Sequence, residues 1–206
     1  MTMPDAWAYI AGLFLAPICA AGLVLTNGRW VALGMLLGAF AGAALVLGGS
    51  GQPGIGAALF LTGALCCMVL AVGFRRSEWS PSALREGSIP GGQGFRLAAV
   101  LLVGTAAWGL STPAAAASIQ VPPARLTAAA ITFAMGLLHL GLSQEQGAVT
   151  LGLLTALVGF EMFYVLLEPS LALRAVLAAI MLGTALVTSV LLETPPDAAA
   201  SDRRLR

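Results

Sequence analysis

The stretch LGLLTALVGFEMFYVLL, residues 151–167, decides the fold. It is an unbroken apolar run with one charge in it, Glu161. With its flank from residue 149 it is long enough, at about 1.5 Å per residue, to cross the hydrocarbon core of a bilayer as a helix. A carboxylate inside such a helix costs about 2.5 to 3.5 kcal/mol even on the lenient insertion scale. A partner charge, a bound proton, a water-filled cavity or a polar contact on a neighbouring subunit has to offset that cost. Glu161 is the only acidic side chain that the sequence puts within a span, which makes it the first functional lead.

The rest of the chain is of the same kind. Over 206 residues it is 59% hydrophobic and 9% charged, with a mean hydropathy of +0.93. Such a composition cannot cover a globular surface with polar side chains, and it predicts an all-α, polytopic integral membrane bundle. A net charge of +1, with the charges gathered at segment ends, excludes nucleic acid as a partner. Cys19, Cys66 and Cys67 fall inside apolar runs, where thiols behave as small hydrophobes. They give no disulfide framework and no metal site, and no cofactor motif is present. Residues 1–7 carry Asp5 and no basic residue, unlike the positive start of a secretory signal, so the first run is expected to remain as a span.

Seven apolar runs are expected to span, at 6–26, 30–47, 54–74, 97–111, 126–142, 149–167 and 171–192. Between them lie turn formers: Asn27-Gly28-Arg29, the Gly- and Ser-rich 48–53, Pro122-Pro123 and Glu168-Pro169-Ser170. With an odd number of spans, Arg29, Arg75, Arg76, Arg85, Arg96, Arg203, Arg204 and Arg206 fall on one side, and only Arg125 and Arg174 on the other. The positive-inside rule then predicts an outer N-terminus and a cytoplasmic C-terminus. Trp7, Tyr9, Trp30, Trp108 and Tyr164 lie near span ends, as an aromatic belt requires. The expected organisation is a four-helix part over 1–112, an external Pro/Ala-rich linker at 113–124, a three-helix part over 125–192, and a disordered Pro-rich charged tail at 193–206.

Few residues in the spans have chemistry. Glu161 has two readings: a protonated carboxyl buried as a packing residue, or a proton-transfer or coupling site in touch with water or another titratable group. Glu168 lies about 10 Å further along the same helical face, at the outer boundary, where it caps the next helix or pairs with Arg174. Arg174, one turn into the last run, either snorkels to the surface or serves as the counter-charge of Glu161. His139, the only histidine, lies on the order of 15 Å from Glu161 along the membrane normal, too far to touch it without a water chain. Gly34, Gly38 and Gly42 form the small-xxx-small stripe that lets membrane helices approach closely, with weaker stripes at Gly12, Ala16 and Ala20 and at Ala175, Ala179 and Gly183. No nucleophile–base pair, ligand cluster or paired intramembrane carboxylates occur, so any enzymatic role would belong to a larger oxidoreductase complex.

Gly136-Leu137-Leu138, the turn at Leu142-Ser143-Gln144, and Gly159-Phe160-Glu161-Met162 together resemble the small three-helix K-type subunit of respiratory complex I. The whole chain is similar to hydrogenase-4 component E and, more broadly, to the C-type subunit of cation/proton antiporters. The resemblance implies a non-catalytic inner-membrane subunit of a proton- or cation-translocating complex. Antiporter-like and quinone-module-like subunits would then be its neighbours, and Glu161 part of a shared polar axis. Glu161 stands about a turn further from the Ser143-Gln144 turn than the family spacing, and the family's carboxyl on the third helix has no counterpart here. A self-contained small-solute transporter and a structural or assembly protein are the alternatives.

Overall fold

The structure, a computed structural model, describes residues 3–26, 28–49, 53–76, 92–111, 122–165 and 171–193. Among them are seven α-helices and no strand: α1 (Met3–Leu25), α2 (Arg29–Gly49), α3 (Pro53–Arg76), α4 (Gly92–Leu110), α5 (Pro123–Leu142), α6 (Gln146–Tyr164) and α7 (Leu171–Glu193). All seven are long and apolar enough to cross a membrane. Pro53 opens α3 and Pro123 lies in the first turn of α5, positions where the missing N–H leaves no helical bond unmade. Pro17 lies inside α1, where a membrane helix tolerates it if neighbours satisfy the freed carbonyl.

Close glycine contacts set the direction of the neighbours. Cβ atoms built on Gly42 and Gly38 of α2 would meet Ala16 N at 2.5 Å and Cys19 Sγ at 2.6 Å on α1, a pairing in which residue numbers rise on one helix as they fall on the other. The α5–α6 pair is equally antiparallel, with Gly136 against Ala156 and Gly159 against Phe133. By contrast, Gly73 near the end of α3 meets Ser189 near the end of α7, so those two helices run parallel.

The helices form two stacked layers, α1–α2–α3 and α5–α6–α7. Between the layers α1 packs on α5, α2 on α6 and α3 on α7. One sequence spacing relates the layers: it separates Leu25 from Leu142, Arg29 from Gln146, and Arg76 from Glu193, each pair being matching helix ends. The chain therefore builds the same three-helix unit twice, in the same direction. Helix α4 is the return crossing, lying on α5 and the edge of α1, with Ser111 Oγ donating to Thr127 Oγ1 at 3.0 Å. Only Val100 and Ala107 of α4 are buried.

The larger of two buried clusters runs through both layers, drawing Phe40 and Leu47 from α2, Leu70 from α3, Leu154 and Val158 from α6, and Met181 from α7; a smaller one joins Ala20 and Val24 of α1, Val100 of α4 and Met135 of α5. Residues on either side of 113–124 thus share one packed interior. In lipid this packing is held by close helix contact rather than by a hydrophobic drive between helices. The helices α1, α3, α5 and α7 begin at one end of the bundle, the near end, and finish at the other, the far end.

Candidate functional site

Glu161 is placed by the glycine two positions before it. Gly159 lies against the Phe133 backbone, which turns that face of α6 onto α5. Two residues on, roughly 200° round the helix, Glu161 faces the other way, toward α3 and α7. Only 6% of it is exposed, and it lines a cavity of about 420 Å³ between these helices at the near end. Ile55 and Leu59 of α3 and Ala178 of α7 supply apolar walls; Thr62 and Arg174 supply the polar ones.

Arg174 belongs to the buried stripe of α7, with Leu177, Met181, Ala185 and Thr188 following at helical spacing. That register turns its side chain inward, and just 8% of it is exposed. The side chain turns inward: Nε and both terminal nitrogens are buried and have no hydrogen-bond partner among the described residues. Arg174 is the charge that acts electrostatically on Glu161. Arg125, equally buried at the start of α5, interacts with Arg174 and with Tyr9 of α1. Two guanidinium groups and one carboxyl therefore gather at the near end. Glu168, the other expected partner of Arg174, lies outside the described residues.

His139 closes the buried stripe of α5 at the opposite end. It is buried, in contact with the backbone of Ala148, and its Nε2 has no partner among the described residues. It lines a second cavity, of about 450 Å³, with Arg29, Arg96, Gln144, Glu145 and Gln146. Arg29 reaches across this end, donating from Nη1 to the Phe74 carbonyl at 3.2 Å and stacking over Trp30 with 5.7 Å to the ring centroid. Glu161 and His139 thus face different cavities at opposite ends of the bundle.

Between the cavities α6 is packed. Leu154, Thr155 and Val158 are fully buried. Hydroxyls punctuate this stretch: Thr150 and Thr188 share a hydrogen bond of 2.7 Å between α6 and α7, while Thr132 and Thr155 donate to carbonyls one turn back in their own helices. Sequence reading did not single out Arg125, Thr132, Thr150 or Thr155; their shared inward stripe on α5 and α6 is the signal that finds them. Among the described residues, no three His, Cys, Asp or Glu side chains come together as a metal site would need.

Of the glycine stripe on α2, Gly38 and Gly42 make close contacts with α1, whereas a Cβ on Gly34 would meet nothing within 4 Å. Gly12 joins this contact from α1, against Gly42 O at 2.7 Å. On α7, Ala175 and Ala179 are exposed and a Cβ on Gly183 would also meet nothing. The corresponding close contact in the second unit rests on Gly136, Gly152 and Gly159. No protein-family model, no curated protein and no solved structure matches this chain.

Proposed function

We propose that the chain is a non-catalytic, multi-pass subunit of a proton- or cation-translocating or redox-coupled complex of the bacterial inner membrane. In this reading Glu161 contributes to an intramembrane polar axis. The observation that supports it most is the polar lining of the second three-helix unit. Glu161 and Arg174 face a cavity at one end, His139 faces a cavity at the other, and Thr155 and the Thr150–Thr188 pair lie between. Ionisable side chains buried in membrane helices are costly, and they mark ion or proton pathways by default. The path is incomplete within the described residues, because no second carboxyl joins Glu161 in its cavity. A neighbouring subunit of the kind that the K-type resemblance implies would supply it.

Arg29, Arg75, Arg76 and Arg96 lie at the far end and Arg125 and Arg174 at the near end, which favours a cytoplasmic far end and an outer N-terminus. A self-contained transporter would need a polar cavity at mid-depth, where this bundle has Leu154, Val158, Leu70 and Met181 in its packed core. The test is purification from native membranes in mild detergent. Antiporter-like or quinone-module-like membrane subunits should co-purify, and a stable solitary monomer would contradict the proposal.

A further inference from the structure

The cavity beside Glu161 has a mouth. Gly54 and Ala58 of α3 and Ala175 of α7 line it and are themselves exposed, so it opens sideways between α3 and α7 onto the apolar flank of the bundle. Leu171 at the start of α7, a bulky apolar side chain, also lines the cavity and is itself exposed. Inside is Arg174, 8% exposed, with all three guanidinium nitrogens buried and unpartnered among the described residues. A buried cation with no acceptors is among the costliest arrangements in a folded protein, more so than a pair. Glu161 shares the cavity yet makes no ion pair with it, and the Thr62 hydroxyl donates to the Ala58 carbonyl. The guanidinium is a rigid planar fork of donors suited to the oxygens of a phosphate.

We infer that this cavity binds the phosphodiester headgroup of a membrane phospholipid, held by Arg174, with its acyl chains leaving through the mouth between α3 and α7. The place of Arg174 fits this occupant. It lies in the first turn of α7, at the depth where lipid phosphates meet the ends of spanning helices, and the walls between it and the bilayer are apolar. The inference goes beyond the ion-pathway reading and does not require it.

The test uses the full chain in dodecyl maltoside, with native mass spectrometry as the readout and dioleoylphosphatidylglycerol as the probe. One phosphatidylglycerol should be retained per chain, and dioleoylglycerol, which lacks the phosphate, at least about tenfold more weakly. R174Q should lower phosphatidylglycerol retention by about tenfold or more, the loss expected when charge-assisted hydrogen bonds go. A175L narrows the exposed mouth with Arg174 intact; it should also weaken retention, and it carries the test if R174Q fails to fold. Equal retention of the two lipids, or undiminished retention by R174Q and A175L, overturns the inference. Displacement of the lipid by inorganic phosphate alone would mark a free-anion site and overturn the lipid assignment. Each readout is a mass on the isolated chain, so failure here leaves the ion-pathway reading standing.

Discussion

The two three-helix units run in the same directions and have helices of similar length, but their interiors differ in chemistry. In the first, the inward stripes of α1, α2 and α3 are filled by Ala16, Leu23, Leu36, Phe40, Cys66 and Leu70. In the second, the corresponding stripes carry Arg125, Thr132 and His139 on α5, Thr150, Thr155 and Glu161 on α6, and Arg174 and Thr188 on α7. Counted along the shared spacing, Ala44 occupies the place of Glu161 and Ala57 that of Arg174. Among the described residues, the first unit's interior is apolar and the second is where buried polar groups are held. The shape of a membrane helix layer depends on small residues at close contacts, so the remaining inward positions are free to vary in polarity.

The largest expected effect tests the equivalence of the units. G42L and G159L each drive a side chain into a neighbouring backbone, at Ala16 and Phe133. Both should cost about 3 kcal/mol or more and give aggregated protein on detergent size-exclusion chromatography. If only one collapses, the layers are not built alike. Next comes T188V, which removes the Thr150–Thr188 bond between α6 and α7. It should lower stability by about 0.5 to 1.5 kcal/mol in thermal or SDS titration. The corresponding position in the first unit is Ala71, so no equivalent loss exists there. The smallest effect belongs to G34L, at a position where an added Cβ would meet nothing within 4 Å among the described residues. It should shift stability by no more than about 0.5 kcal/mol in the isolated chain. A defect confined to the assembled complex would make Gly34 a contact with another subunit.

The seven helices were legible because each is an apolar run of membrane length ended by turn residues, and α4 is the faintest signal because its mean hydropathy, 1.3, is the lowest of the seven. The layer stacking was not legible. The two units agree in helix length far more than in residue identity, and Ala, Gly and Leu recur too often for a repeat to stand out. Spacing alone put Gly34 with Gly38 and Gly42, although contact depends on where α1 lies as well as on the stripe. The packing role of Gly136, Gly152 and Gly159 was not legible because they are split between two helices and meet their neighbours only after folding. Arg174 looked free to snorkel from its place near a span end. The stripe it shares with Leu177 and Met181 turns it inward instead. Glu161 was evident at once, since one carboxylate in an apolar run needs no structure to notice; the companionship of Arg125 did.

Proton or cation translocation by inverted membrane vesicles carrying E161Q tests the central claim most directly, measured beside wild type with assembly verified in the same membranes. The predicted result is an assembled complex whose translocation falls by at least about tenfold, the loss of one positioned proton-transfer group. Unchanged translocation with unchanged assembly would contradict it and leave Glu161 as a buried packing residue.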